Sequence, residues 1–347
     1  MDLDEARETK NRLARTAAER AGTFAQASGR PRPPVALGLV PGADGGYGIA
    51  VRYRTPTGEA LAHQVADEVG EAADVRWTGR VRALQVGAGS GGVGPGGAGP
   101  GGPGPGGAGP GTPDPGGVPD AVGETGRVRP LRPGVSVAHV AVSAGTLGAF
   151  VRVDGALHAL SNYHVLVGSP SAAIGDPVLQ PGPADGGQDP ADRIGTLAGF
   201  VPLQPGADGL VDAAVAALAD EAVDLDYPVG RVTTTAAVVG AEEVAKVGRT
   251  TGLTHGRVTA IELDDVVVEY GEDLGELRFD DQIEVQSVGA GPFSRGGDSG
   301  SLVYRADGVA VGLLFAGSET GGDNGTGLTY LNPIGTVLDA LAAELAR

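Results

Sequence analysis

At 347 residues the chain is long enough for one large or two modest hydrophobic cores, and with no cysteine it excludes disulfides, thiolate zinc sites and a thiol nucleophile. Its five histidines are scattered and no H-E-x-x-H run occurs, so neither a metal nor a cofactor is expected. The net charge of −18 sits almost wholly in the second part, since residues 1 to 127 carry 13 basic against 14 acidic side chains and the rest carry 12 against 29; such acidity repels phosphate backbones and argues against a nucleic-acid partner.

The start of the chain, Met1-Asp2-Leu3-Asp4-Glu5, is charged from its second residue and lacks the apolar core of a signal peptide, so a cytoplasmic location is expected. No stretch approaches the roughly 18 apolar residues of a membrane span, and no membrane partner is expected. Ala, Arg, Glu and Leu dominate as far as residue 21, with acids first and Arg15 and Arg20 later, which predicts a helix within 1 to 22. Its apolar face is mostly alanine with Leu3 and Leu13. That face is too thin to fold alone, so the helix docks on a neighbour or another subunit, or frays.

Arg30-Pro31-Arg32-Pro33-Pro34 ends this segment, and a compact unit over 32 to 86 follows. Residues 35 to 40 and 47 to 54 read as strands joined by a turn, the second with Tyr47, Ile49, Val51 and Tyr53 alternating with small or basic residues. Leu61, Val65 and Val69 then recur every four residues, which predicts a helix, and 75 to 84 returns to strand with the lone tryptophan, Trp77. This small α+β (β-β-α-β) domain holds no pairing of nucleophile and base. It is expected to serve docking or assembly, and with the N-terminal helix it leaves a homo-oligomer open.

About half of the residues between 87 and 117 are glycine, many in a five-residue cycle such as Gly94-Pro95-Gly96-Gly97-Ala98. The period is not collagen's three, and nothing there can bury apolar area against chain entropy. The stretch from 87 to 127 is therefore expected to be a disordered linker, with a mean reach of roughly 30 Å if flexible.

From 128 to 347 short apolar runs alternate with Gly, Pro and Asp. They predict strands at 136 to 142, 147 to 153, 157 to 160, 193 to 201, 213 to 218, 246 to 247, 256 to 263, 266 to 270, 282 to 288, 301 to 304, 309 to 315 and 329 to 331. So many strands with little helix between them imply a mainly β domain, either a sandwich or a pair of barrels. Pro333 opens a final helix whose Ile334, Val337, Leu338, Leu341 and Leu345 form one apolar stripe.

Within this part, Gly296-Gly297-Asp298-Ser299-Gly300-Ser301 runs straight into Leu302-Val303-Tyr304. Glycines on both sides of a serine permit unusual backbone angles and let backbone N–H groups converge on an oxygen that becomes negative, as an acyl-transfer nucleophile needs. The candidate base is His164, in Leu160-Ser161-Asn162-Tyr163-His164, because His139 and His158 alternate with apolar residues in strands, His255 sits in a predicted hairpin turn and His63 belongs to the other domain. A carboxylate must orient the imidazole. Asp212 is embedded in Leu210-Val211-Asp212-Ala213-Ala214-Val215, where a charge is costly unless paired, whereas Asp176, Asp185, Asp189 and Asp192 lie in turn-rich sequence and read as solvated. The order His, Asp, Ser is that of trypsin-like enzymes; no histidine follows Ser299, which excludes the α/β-hydrolase order.

Gly297-Asp298-Ser299-Gly300, Asn162-Tyr163-His164-Val165 and Val211-Asp212-Ala213-Ala214 resemble the three catalytic blocks of trypsin-like (chymotrypsin-fold) serine peptidases. The similarity is greatest to the bacterial relatives of the plant Narrow Leaf proteins, through Pro133-Gly134, Ala144-Gly145-Thr146-Leu147-Gly148 and Gln180-Pro181-Gly182-Pro183-Ala184-Asp185-Gly186-Gly187. Gly248-Arg249-Thr250-Thr251-Gly252, with Gly256-Arg257-Val258-Thr259, is similar to the same place in streptogrisin-type bacterial peptidases. The resemblance covers 128 to 347. It implies a chymotrypsin-like double β-barrel with a C-terminal helix and a triad of His164, Asp212 and Ser299 between the halves. It also implies an oxyanion hole from the N–H groups of Gly297 and Ser299, and substrate binding by Phe293, Phe315, Ala316 and Gly317. With Phe293 at the base of the pocket, no carboxylate favours Arg or Lys at the cleavage site. The activity implied is intracellular endopeptidase action on proteins or peptides through an acyl-enzyme; the alternative is a catalytically silent scaffold or peptide-binding module.

Overall fold

The computed structural model describes residues 1–22, 34–42, 45–84 and 122–347, so most of the expected linker and most of the Arg30 to Pro34 break lie outside the described residues. The chain is mainly β. Ser136–His139 pairs with Pro177–Leu179, then Arg193–Phe200, Ala214–Leu218, Ala156–Ser161 and Ala149–Val153 follow in turn. The last strand continues from Gly145–Thr146, which pairs with Ser136–His139, so the sheet curls back on itself as the first barrel without full closure. Pro177–Leu179 was not expected from its Gly- and Pro-rich surroundings; as a three-residue strand it is too short to show a period.

The second barrel is a closed ring through Glu243–Gly248, Gly252–Asp264, Gln282–Ser287, Thr329–Pro333, Val309–Gly317 and Leu302–Tyr304, returning to Glu243–Gly248. His255, expected in a turn, lies instead within the strand Gly252–Asp264, because the turn is tighter and sits at 249 to 251. Alternation explains how one strand serves two cores. Phe150 joins Val137, Leu157 and Ala216 in one apolar cluster, while Ala149 and Val151 face Ile334 and Val337 in another.

The C-terminus departs from the expected single helix. A helix spans Ile334–Ala340 and buries Ile334, Val337 and Leu338, but Ala342 takes a positive φ of 48° and the chain leaves as a strand, Ala343–Leu345. Leu345 therefore pairs with Val151 at the edge of the first barrel rather than extending the helical stripe. Covering that edge removes a row of open backbone donors and acceptors.

At the front, α1 (Leu3–Gly22) is followed by β1 (Val35–Pro41), β2 (Tyr47–Tyr53), α2 (Pro56–Val69), β3 (Ala73–Trp77) and β4 (Arg82–Ala83). Thr55 caps α2 by accepting from the Gly58 N–H, Pro56 opens it, and Leu61, Ala62 and Val65 bury its inner face. The strand expected from 75 to 84 is two strands, with Gly79 at φ +68° between them. The front unit shares a sheet with the second barrel: β1 lies antiparallel to Gly252–Asp264, with Leu39 opposite Ile261. Arg52 of β2, 3% exposed, donates to both oxygens of the fully buried Glu284 at 2.8 and 2.9 Å and to Asp74 at 2.8 Å. Burial pulls the Arg52 guanidinium towards neutrality, and Glu284 and Asp74 outweigh it, leaving the arginine more firmly charged than usual. Helix α1 is tied on by Lys10, whose ammonium reaches Asp264 at 2.8 Å. Among the described residues no helix is long and apolar enough to cross a membrane.

Candidate active site

Strand register brings His164 and Asp212 together. Ala156–Ser161 runs into a one-turn helix, Tyr163–Leu166, while Ala214 pairs with Ser161, so Asp212 lies just beyond that rung, beside the helix. His164 Nδ1 is 2.5 Å from Asp212 Oδ2, the His164 N–H donates to Oδ1 at 3.3 Å, and the Tyr270 hydroxyl donates to Oδ2 at 2.7 Å. Asp212 is completely buried, and these donors offset the desolvation of its carboxylate. Its backbone is fixed from both barrels: the Asp212 N–H donates to Asn332 Oδ1 at 2.9 Å, and Asn162 Nδ2 donates to the Asp212 carbonyl at 2.7 Å. Burial, reinforced by the neighbouring Asp212, holds the Tyr270 phenol well above its ordinary range, so it remains a donor. Its ring meets His164 edge-on, with centroids 5.8 Å apart.

Ser299 sits on the facing loop of the second barrel. Gly297 and Gly300 have φ of +94° and +93°, which only glycine takes at no steric cost. A Cβ on Gly300 would come within 2.1 Å of Ser161 Oγ and 2.3 Å of the Thr146 carbonyl, so the loop backs directly onto the strand that leads to His164. The Thr146 N–H donates to the Ser299 carbonyl at 2.8 Å, and the Ser299 hydroxyl donates to the Phe315 carbonyl at 3.2 Å. Asp298 anchors the loop from behind. Its carboxylate accepts from the N–H groups of Thr250, Thr251 and Arg295 at 2.9 to 3.0 Å and from the Thr251 hydroxyl at 2.7 Å, and it lies 3.3 Å from the buried ammonium of Lys246. Burial pulls Lys246 below its ordinary value, and Asp298 restores part of the loss.

Asp185 is not solvated as its sequence suggested. Its side chain is 5% exposed, pairs with Arg249 and accepts from the Ser136 hydroxyl at 2.6 Å, which ties the loop after Pro183 to the turn that holds Asp298. Turn-rich sequence reports local backbone shape and says nothing of an arginine 64 positions away.

The four residues named for substrate binding divide by function of atom. The Phe315 side chain is fully buried against Phe279, with centroids 4.9 Å apart, so only its carbonyl faces the site. Ala316 and Gly317 present the backbone edge of Val309–Gly317. Phe293 is 2% exposed and its ring lies against Gly256, where an added Cβ would be 2.8 Å from Cδ2. Ser299 exposes no surface, and His164 exposes 1%. The front segment lies over the loop: the Gly297 N–H donates to the Leu84 carbonyl at 2.7 Å.

Sequence reasoning missed Tyr270, Asn332, Lys246 and Leu84. Of these Lys246 had a signal. It is a lone cation in Val244-Ala245-Lys246-Val247, and the reasoning that singled out Asp212 in apolar sequence applies equally to it.

No protein-family model and no curated protein matches the sequence. Solved structures that are similar include Protease A of Thermobifida fusca, 20% identical over 62% of this chain and 98% of that one with a TM-score of 0.43. Chymotrypsin of Cellulomonas bogoriensis is 22% identical over 62% and 98%, with a TM-score of 0.42. A Nocardiopsis protease is 17% identical over 62% and 99%, with a TM-score of 0.44. The fold assignment rests on this chain's own strand pairing: a curled sheet carrying His164 and Asp212 and a closed ring of six strands carrying Ser299 form a chymotrypsin-like double barrel.

Proposed function

We propose that the chain is a serine endopeptidase in which His164, Asp212 and Ser299 act as base, orienting carboxylate and nucleophile. The observation that carries this reading is the buried carboxylate of Asp212 held on His164 Nδ1. With Nδ1 committed, Nε2 is the nitrogen that takes the Ser299 proton as Oγ attacks a substrate carbonyl, and the same nitrogen returns it to the leaving amine. The Gly297 N–H, joined by that of Ser299, stabilises the oxygen that becomes negative. Water then releases the acyl group from Ser299. Protein or peptide substrates suit the backbone edge at Ala316 and Gly317, which takes an extended strand, here Arg82–Ala83 of the same chain. Kinship with the bacterial relatives of the Narrow Leaf proteins and a cytoplasmic setting belong to the same proposal and rest on sequence.

A second reading, a catalytically silent scaffold, has one observation in its favour: Ser299 and His164 are closed to solvent. Hydrolysis of an activated ester by the wild-type chain, lost in Ser299→Ala, supports the first reading. Equal rates for the two proteins support the second.

A further inference from the structure

Residues 81 to 84 fill the slot that a substrate of the proposed reaction would occupy. β4 runs antiparallel to Val309–Gly317, with Ala83 opposite Ala316 and Arg82 opposite Gly317. On its other side it runs parallel to Val266–Glu269, where the Glu269 N–H donates to the Val81 carbonyl at 3.0 Å. A segment that merely covered a sheet edge would give its carbonyls to that edge. Leu84 does otherwise. Its N–H donates to the Phe315 carbonyl at 3.3 Å, while its own carbonyl leaves the ladder and accepts from the Gly297 N–H at 2.7 Å. That Phe315 carbonyl also accepts from the Ser299 hydroxyl, so the carbonyl of Leu84 is presented at the nucleophile's own loop.

The side chain is placed in the same way. Leu84 is 8% exposed and belongs to the apolar cluster that contains Phe293. A Cβ on Gly317 would lie 3.2 Å from Leu84 Cδ1 and 3.5 Å from Cδ2, so the glycine leaves the room the leucine takes. Burying the leucine removes its apolar surface from water, and the anchored strands β1 to β3 deliver it at high effective concentration. Arg80 and Arg82 add rim contacts to Glu269 at 3.5 and 3.4 Å.

We propose that the peptide bond on the carboxyl side of Leu84 is a self-cleavage site, an inference that rests on the serine-peptidase reading. Ser299 Oγ forms an ester bond to the Leu84 carbonyl carbon and its proton passes to His164 Nε2. The bond to the nitrogen of Gln85, the next residue in the sequence, breaks as that proton is delivered to it. One water then adds to the ester, leaving the Leu84 carboxylate and restoring the serine, with no oxidant or reductant consumed. Because β1 stays paired to Gly252–Asp264 and Arg52 to Glu284, the product is a nicked particle whose two pieces remain together. The same register assigns the acyl-side preference: a leucine-sized apolar residue, preceded by a small one, with no call for a basic group.

Denaturing and native mass measurements of the full chain test this. The wild type converts to fragments 1–84 and 85–347 at a rate unchanged by tenfold dilution, and the pieces travel as one particle under native conditions. Ser299→Ala and Leu84→Asp stay whole, whereas Leu84→Met is cut. A wild type that stays whole while its Ser299 accepts a fluorophosphonate overturns self-cleavage and leaves the peptidase reading standing. If Leu84→Asp alone is labelled, Leu84 is a tethered plug and self-cleavage is again overturned. If both folded proteins stay whole and unlabelled, both readings fail. Cleavage at another bond, or a rate proportional to concentration, also overturns the assignment.

Discussion

The two halves of the candidate site are held by different chemistry. On the first barrel, Asp212 and His164 are oriented chiefly by uncharged partners, the Tyr270 hydroxyl and the amides of Asn332 and Asn162. On the second, the loop around Ser299 is shaped by positive-φ glycines and by a buried ion pair, Lys246 with Asp298. A hydrogen bond to the Asp212 carboxylate contributes about 1.5–3 kcal/mol and one to its backbone about 1 kcal/mol, whereas breaking a buried ion pair costs about 3–5 kcal/mol. The imidazole half is therefore tuned in angle and the serine half is fixed in shape, and substitutions in each should fail differently.

The largest effect is expected on the first half. Asp212→Asn should lower turnover of an ester by about 10⁴ with little change in melting temperature, because the amide favours the wrong imidazole tautomer. Stopped assays with thermal melts check this, and a variant that unfolds makes Asp212 structural instead.

Lys246→Met should break the comparison from the other side. Asp298 keeps four hydrogen-bond donors but loses its counter-charge, so stability should fall by about 3 kcal/mol and turnover by about 10² as the Gly297 N–H shifts. Denaturant titration beside ester kinetics measures both. Lost turnover with unchanged stability would show that the ion pair does not shape the loop.

Tyr270→Phe should have the smallest effect, about tenfold in turnover, since His164 remains on Asp212 through Nδ1. Its alkaline behaviour sharpens the test. The folded protein keeps the Tyr270 proton that an unfolded chain sheds above about pH 10, so the stability this group contributes is whole below that pH and lost as the pH climbs beyond it. Melting temperature should drop less steeply above pH 10 in Tyr270→Phe than in the wild type; equal slopes would show that Tyr270 is not held as a donor.

What the sequence disclosed was what neighbouring residues disclose. Strand runs such as 147 to 153 and 309 to 315, the glycines around Ser299 and the apolar setting of Asp212 all show within a few residues, because alternation, backbone freedom and burial are local signals. Partners far along the chain were not legible. Arg52 read as one of the basic residues alternating along a strand, yet it neutralises Glu284, 232 positions away, and joins the front unit to the second barrel. The break of the final helix at Ala342 depended on an open strand edge in the first barrel, which the helical stripe does not encode. Leu84 was read only as the end of a strand. Its significance comes from the distant Gly297 that its carbonyl meets.

The central claim is that Ser299 is a nucleophile activated by His164, and covalent labelling tests it most directly. Fluorophosphonate should modify the folded wild type or Leu84→Asp at Ser299, mapped by peptide mass, with labelling slowed by orders of magnitude in Asp212→Asn and abolished in Ser299→Ala. Folded protein that takes no label at Ser299 in either background at any pH from 5 to 9, or that takes it equally fast in Asp212→Asn, would contradict the claim.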